Sequence, residues 1–167
     1  MAAAEWLKQY SGQSTAQLIA LAGQYRTDSL VVACEEALDQ KAARLGDGSL
    51  TDEEWIILAV EALEREVNNG GYALFFGNTP EYASMIVGAL GRIGCQEVAA
   101  LTENTIGILG IEGPLTTEAV AAAMNEGDEE RDRRLSECDE QYFSVAADLA
   151  GPLFAFIRQH QGKVSLR

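Results

Sequence analysis

The chain has 167 residues, 47% of them hydrophobic, and a formal net charge of -14 at pH 7. That length fits one domain that buries about two-thirds of its unfolded surface, and the composition excludes wholesale disorder. The acidic balance argues against direct contact with nucleic acid. The start MAAAEWLKQY lacks the parts of a secretory signal and no run reaches the roughly 18 apolar residues of a membrane span, so a soluble cytoplasmic protein is expected.

Residues 1–25 read as an N-terminal helical arm. Ala2 to Tyr10 can lay Trp6, Leu7 and Tyr10 on one side of a short helix, and Ser14 can cap a second helix running through Leu18, Ile19, Leu21 and Ala22 to Tyr25. Asp28 is the expected cap of a third helix, whose apolar set Leu30, Cys34, Ala37, Leu38 and Leu45 recurs at helical spacing until Gly46 closes it. Glu35, Glu36 and Asp39 fall on the opposite side, toward water.

The stretch 51–94 organises the rest. Thr51 and Glu54 make a T-x-x-E capping box, so a helix is predicted over 52–67. At about 100° per residue its apolar positions, Trp55 to Val67, spread round most of the circumference and leave Glu54, Glu61, Arg65 and Asn68 as a polar stripe. Glu66 falls outside that stripe. A buried carboxylate needs partners, and the nearest in sequence are the amides of the Asn68-Asn69-Gly70-Gly71 break, which makes Glu66 a structural latch. Tyr72, Phe75 and Phe76 then crowd one turn as a core plug. Thr79-Pro80-Glu81 restarts a helix that Gly94 ends, and Ser84, Gly88 and Gly91 form a small-residue stripe suited to a close internal helix or a homodimer.

Gln96 to Leu109 reads as a helix with Val98, Leu101, Thr102 and Leu109 inward. Thr116 or Thr117 caps a thin alanine-rich helix, Glu118 to Asn125. Glu126 to Glu140 is charged, with Glu129 to Arg133 and Glu130 to Arg134 as glutamate-first pairs four residues apart. Tyr142 to Leu149 and Pro152 to Gln161 close the core, with a break at Gly151, and 162–167 are expected to fray. No strand-like alternation is long enough for a sheet. The fold expected is an all-α bundle of about seven to nine helices around a buried central helix, as one domain over 1–167.

The run Glu66-Val67-Asn68-Asn69-Gly70-Gly71-Tyr72, with Phe75-Phe76, Asn78, Tyr82, Ala89-Leu90 and Ile93-Gly94, resembles the motif E-V-x-N-G-G-[FY]-x-x-F-F-x-N of the bacterial DNA-mimic-protein-like family, and Asp139-Glu140-Gln141-Tyr142-Phe143 is similar to a later segment of it. Leu74 departs from it, since members commonly carry a polar residue before the paired phenylalanines. The resemblance implies an all-helical fold. For the founding type of the family it implies a non-enzymatic protein that occupies the DNA-binding surface of a transcription regulator.

Charge is concentrated in two segments. Residues 35–66 hold ten acids against three bases, and 112–140 hold ten against three. Such zones attract basic surfaces and raise encounter rates. The internal pairs make the second zone the weaker mimic, so the partner-binding face is assigned to Glu35, Glu36, Asp39, Asp47, Asp52, Glu53 and Glu54, with a basic DNA-binding protein as partner. Asp52 to Glu54 have a plainer reading as helix-dipole partners.

Catalytic chemistry finds little support. Cys34, Cys95 and Cys138 are odd in number and lack a C-x-x-C pair, which speaks against a disulfide framework or a zinc site. His160 stands alone and reads as a surface residue, and Gly70-Gly71 is not part of a phosphate-binding loop. No cofactor is expected and no enzyme. The alternative functions are an antidote-like or regulatory protein that binds a toxin or enzyme through exposed aromatics of 68–78, and a hydrolase using Glu66 with Asn68 or Asn69.

Overall fold

A computed structural model describes residues 2–146 and 148–167. Among them lie nine α-helices: α1 Thr15–Ala20, α2 Thr27–Leu45, α3 Asp52–Gly70, α4 Tyr72–Asn78, α5 Ile86–Arg92, α6 Gln96–Ile108, α7 Thr117–Asn125, α8 Glu129–Val145 and α9 Ala150–Gln159. Short 3-10 turns cover Asp47–Ser49, Pro80–Tyr82 and Gln161–Lys163, and the described residues form isolated β-bridges but no strand. The fold is all-α, as the periodicity requires. Ala147, inside the helix expected over 142–149, lies outside the described residues. Contacts gather into two compact units, residues 1–61 with 150–167, and residues 62–149.

In the first unit, the capping box forms as expected. Thr51 N–H donates to Glu54 Oε2 at 3.0 Å and Glu54 N–H to Thr51 Oγ1 at 3.2 Å. Gly46 closes α2 at φ +87°, a conformation that costs glycine nothing. Asp28 is not the cap of α2. The helix starts at Thr27, and Asp28 sits in its first turn with its carboxylate on Arg26 at 2.6 Å. The capping box of α1 forms between Ser14 and Gln17, and that helix ends at Ala20 rather than Tyr25.

Two expectations fail at the ends of the sequence. Residues 2–10 are not helical; Glu5 pairs with the 24–26 segment through Glu5 N–H to Gln24 O at 3.0 Å and Arg26 N–H to Glu5 O at 2.8 Å. Leu7 and Tyr10 give their amides to Ser29 Oγ and Glu36 Oε2, each at 3.0 Å. A segment of this length is below the size at which helices stand alone, so these partners decide its backbone. The 162–167 stretch does not fray either. Val164 and Leu166 are buried, and Ser165 N–H donates to Glu54 Oε1 at 2.7 Å.

The second unit is built around the aromatic plug. Tyr72, Phe75 and Phe76 are fully buried, and Tyr142 meets the Tyr72 ring edge-on at 5.8 Å. The helix expected from Pro80 to Gly94 is divided, with a 3-10 turn over Pro80–Tyr82 and α5 from Ile86. The reason is local: the Thr79 hydroxyl donates back to Phe75 O at 2.7 Å and finishes α4 instead of capping the next helix. Ser84 and Gly88 are solvent-exposed, and a methyl group at Gly88 would meet nothing within 4 Å. Most of the charged segment and the first four residues of the one after it run as a single helix, α8, which ends at Val145. Its apolar residues Leu135, Cys138 and Tyr142 keep helical spacing across the expected boundary.

Glu54 and Lys41 form a buried ion pair in the first unit, at 2.9 Å and with side chains 0% and 8% exposed. Lys41→Met leaves a buried carboxylate short of its cation and is expected to lower the unfolding free energy by about 3–5 kcal/mol in urea titration. By comparison, Asp28→Asn weakens the exposed pair with Arg26 and should cost less than about 1 kcal/mol.

Candidate functional site

The seven carboxylates assigned to one acidic face do not share one environment. Asp39, Asp47 and Asp52 are exposed, Glu35 and Glu36 are half-buried, and Glu53 and Glu54 are buried. Glu54 cannot serve a partner because Lys41, Thr51 and Ser165 already surround it. Glu53 receives Lys163 Nζ at 3.2 Å, and Glu36 holds the Tyr10 amide. Glu61, the next acid of the expected polar stripe, is buried as well. The stripe expected on α3 is thus buried at Glu54 and Glu61 and exposed at Arg65 and Asn68.

The second acidic segment behaves in the opposite way. Glu126, Asp128, Glu129, Glu130, Asp132, Glu137 and Glu140 are all exposed, against two exposed cations, Arg133 and Arg134. Asp128 caps α8 by accepting Arg131 N–H at 2.9 Å, and three further acids lie in the positive first turn. The expected pairing of Glu129 with Arg133 and Glu130 with Arg134 gives way to a different one: Arg133 bridges Glu130 at 2.6 Å and also Glu137. That guanidinium holds the Glu130 carboxyl below its ordinary range. Arg131 turns inward, is buried, and fastens α8 to α7 through the Ala123 carbonyl while pairing with Asp132 at 2.8 Å. Ranked by exposure, α8 and its lead-in form the larger acidic surface, which reverses the order drawn from pairing alone.

The glycine break is a joint. Helix α3 continues through Asn68, Asn69 and Gly70, so the chain turns at Gly71, with φ +88°. A Cβ there would stand 2.1 Å from Asp139 Oδ2. Glycine is required twice over, for the backbone angle and for the approach of Asp139, whose Oδ1 accepts Tyr72 N–H at 2.7 Å. Sequence reasoning missed Asp139 as the partner; the only signal was its place in the second family-like segment. Burial pushes the Asp139 carboxyl up, and the Tyr72 amide opposes that shift. Tyr142 donates its hydroxyl to Glu64, and the buried Tyr72 hydroxyl shares a 2.8 Å hydrogen bond with Thr102 Oγ1.

Glu66 is buried and bonded, but not to the amides of 68–71. Asn78 Nδ2 donates to it at 3.0 Å and Arg65 Nε at 3.2 Å, so it ties α3 to the end of α4. Asn68 gives its side-chain amide to Glu64 O at 2.6 Å, and Asn69 and Gly70 are exposed. The pair needed for a Glu66 hydrolase is therefore not assembled. Leu74 packs over Gly70, where a Cβ would lie 2.9 Å from its Cδ2. With Tyr72, Phe75 and Phe76 sealed in the core, the 68–78 segment has no exposed ring to anchor an antidote-like contact.

The other nucleophile and ligand candidates are also accounted for. Burial pushes the Cys34 thiol up to about 12 and raises Cys95 and Cys138, so none is predisposed to form a thiolate. His160 is half-buried, with Nδ1 at 2.9 Å from Phe156 O and its ring tilted by 31° against that of Phe156. Among the described residues no cluster of His, Cys, Asp and Glu is arranged to hold a metal, and no helix is long and apolar enough to cross a membrane.

A family model described as DMP19-like protein matches residues 48–160, which is more than half of the chain. No curated protein and no solved structure matches it.

The joint gives a signed test. Because the folded state raises the Asp139 pKa, its ionisation costs stability as pH rises from the unfolded carboxyl value through the folded one. Asp139→Asn keeps an oxygen acceptor for Tyr72 N–H and removes the charge. It should melt no lower than the parent at pH 7, with any gain vanishing near pH 3, whereas Asp139→Ala and Gly71→Ala should both melt several degrees lower by calorimetry.

Proposed function

The chain belongs to the DMP19-like protein family, and on that premise we propose that it is a non-enzymatic interaction protein whose acidic surface occupies the nucleic-acid-binding face of a basic DNA-binding partner. The observation that carries this reading is the exposed carboxylate row of α8. From Asp128 to Glu140, six exposed carboxylates and two exposed guanidiniums leave four net negative charges. Those twelve steps of helix rise about 18 Å, so the exposed side of α8, with its carboxylates spread over about 200° of the circumference, carries roughly one net charge per 4–5 Å of axis. A DNA strand carries one per about 3.4 Å, and a duplex one per about 1.7 Å. The row therefore approaches the charge density of a single strand and can hold a positive surface without being as dense as duplex. Asp39, Asp47 and Asp52 provide a second, sparser set, and the same negative field repels nucleic acid itself.

Affinity capture from lysate of the source cells supplies the partner for the test. Its binding should weaken at least about tenfold between 50 and 200 mM salt and be competed by duplex DNA. Glu129→Gln, Glu137→Gln and Glu140→Gln together should reduce partner affinity while moving stability by no more than about 0.5 kcal/mol, since these side chains are exposed. Binding that ignores salt, DNA and the triple substitution alike defeats the proposal.

A further inference from the structure

The exposed side of α8 is not uniform around the helix. At about 100° per residue, Glu129, Asp132, Ser136, Glu140 and Phe143 fall within about 80° of one another and make one exposed flank. The exposed cations lie to one side of it: Arg133 with its partners Glu130 and Glu137, and Arg134 farther round. Asp132 is met from the inner face by Arg131. The flank ends in an aromatic ring, since Phe143 is 56% exposed. Isolated apolar side chains on a surface are ordinary and mean nothing alone. This one differs in how it is held. Its ring meets Tyr142 edge-on at 5.8 Å, Tyr142 meets Tyr72 edge-on at 5.8 Å, and Tyr72 stacks on Phe76 at 6.1 Å, so a file of rings runs from the plug to the surface. Tyr142 is itself pinned by its hydroxyl bond to Glu64. An exposed ring backed by fixed neighbours loses little freedom when it is covered, which favours an interface anchor.

We propose that Phe143 is the apolar anchor of the acidic surface, entering an apolar seat on the same basic partner whose positive face meets the carboxylates of this flank. The inference rests on the function proposed for the α8 row and adds to it a contact that a phosphate backbone does not make. Charge complementarity fixes the occupant. Glu129, Asp132 and Glu140 share the flank with the ring, so a cationic surface is drawn to it and an acidic one is turned away. The two kinds of contact divide the work. Opposite charges supply encounter and orientation and weaken as salt is added, whereas covering the ring is a hydrophobic gain that screening leaves in place. Glu140, one turn before Phe143 on the same flank, sets the cation and the apolar seat of the partner side by side.

The test uses the full chain and two labelled lysine-rich peptides of equal charge, identical except for leucine or alanine at their central positions, with binding read by fluorescence anisotropy. The parent should take the leucine peptide at least about fivefold more tightly, and that ratio should hold between about 50 and 200 mM salt while both affinities fall. Phe143→Ala should bring the ratio to about one and move the melting temperature by no more than about 2 °C, and Phe143→Leu should keep most of the preference. Glu129→Gln with Glu140→Gln should weaken both peptides alike and leave the ratio unchanged. Equal binding of the two peptides by the parent, or a preference that survives Phe143→Ala, overturns the anchor. A Phe143→Ala protein that melts several degrees lower makes the ring a support for Tyr142 and overturns it too. Affinities that ignore both salt and the paired glutamine substitutions defeat the acidic-surface function instead, whatever the leucine ratio, and with it the basic partner assigned to the ring.

Discussion

Glu54 has no solvent exposure, and an ionised carboxylate survives there only because donors surround it. The Thr51 amide fixes the first turn of α3, the Lys41 ammonium comes from α2, and the Ser165 amide comes from a segment more than a hundred residues away. Three separate stretches are thus held to one charge. Substituting any donor does more than remove a hydrogen bond, since it leaves the remaining charge buried among fewer partners. The buried pair is weak evidence for net stability against an apolar core, but it fixes which segments meet and in what register. The path of residues 163–167 is set by it.

The local layer of this organisation was legible in the sequence. The Thr51 and Glu54 box, the Gly46 stop, the Thr116 cap and the aromatic plug are short-range patterns whose physics is complete within a turn or two, and all stand where they were expected. What the sequence misassigned was the wetness of polar groups. A helical wheel separates polar from apolar positions, but Glu54, Glu61 and Lys41 are polar and buried. Nothing local reveals a counter-charge on another helix. The same limit explains the extended 2–10 arm and the docked 162–167 stretch, both too short for intrinsic propensity to decide their conformation.

The acidic surface shows how this error distorts a functional reading. Counting charge along the chain gives two equal zones, yet the first buries or half-buries seven of its ten acids while the second leaves all but Asp139 exposed. Exposure depends on which helix faces are covered, and that is a tertiary property. At the glycine break the sequence identified the turn but not its reason. Gly71 makes room for Asp139, which lies on α8, so the need for a missing Cβ became visible only when α8 was in place.

The order of the chain sets an order of completion during synthesis. Residues 62–149 form their unit from one continuous stretch, whereas the other unit is made of 1–61 and 150–167. On the ribosome the continuous stretch is translated whole before any of residues 150–167 exists, at about 5–20 residues per second. Through that interval Lys41 and Glu54 stay hydrated and Leu18, Leu30 and Leu38, all destined for full burial, lack part of their final cover. The earliest-made segment is therefore finished late, and the nascent chain carries exposed apolar surface, an invitation to chaperones, for as long as the intervening residues take to translate.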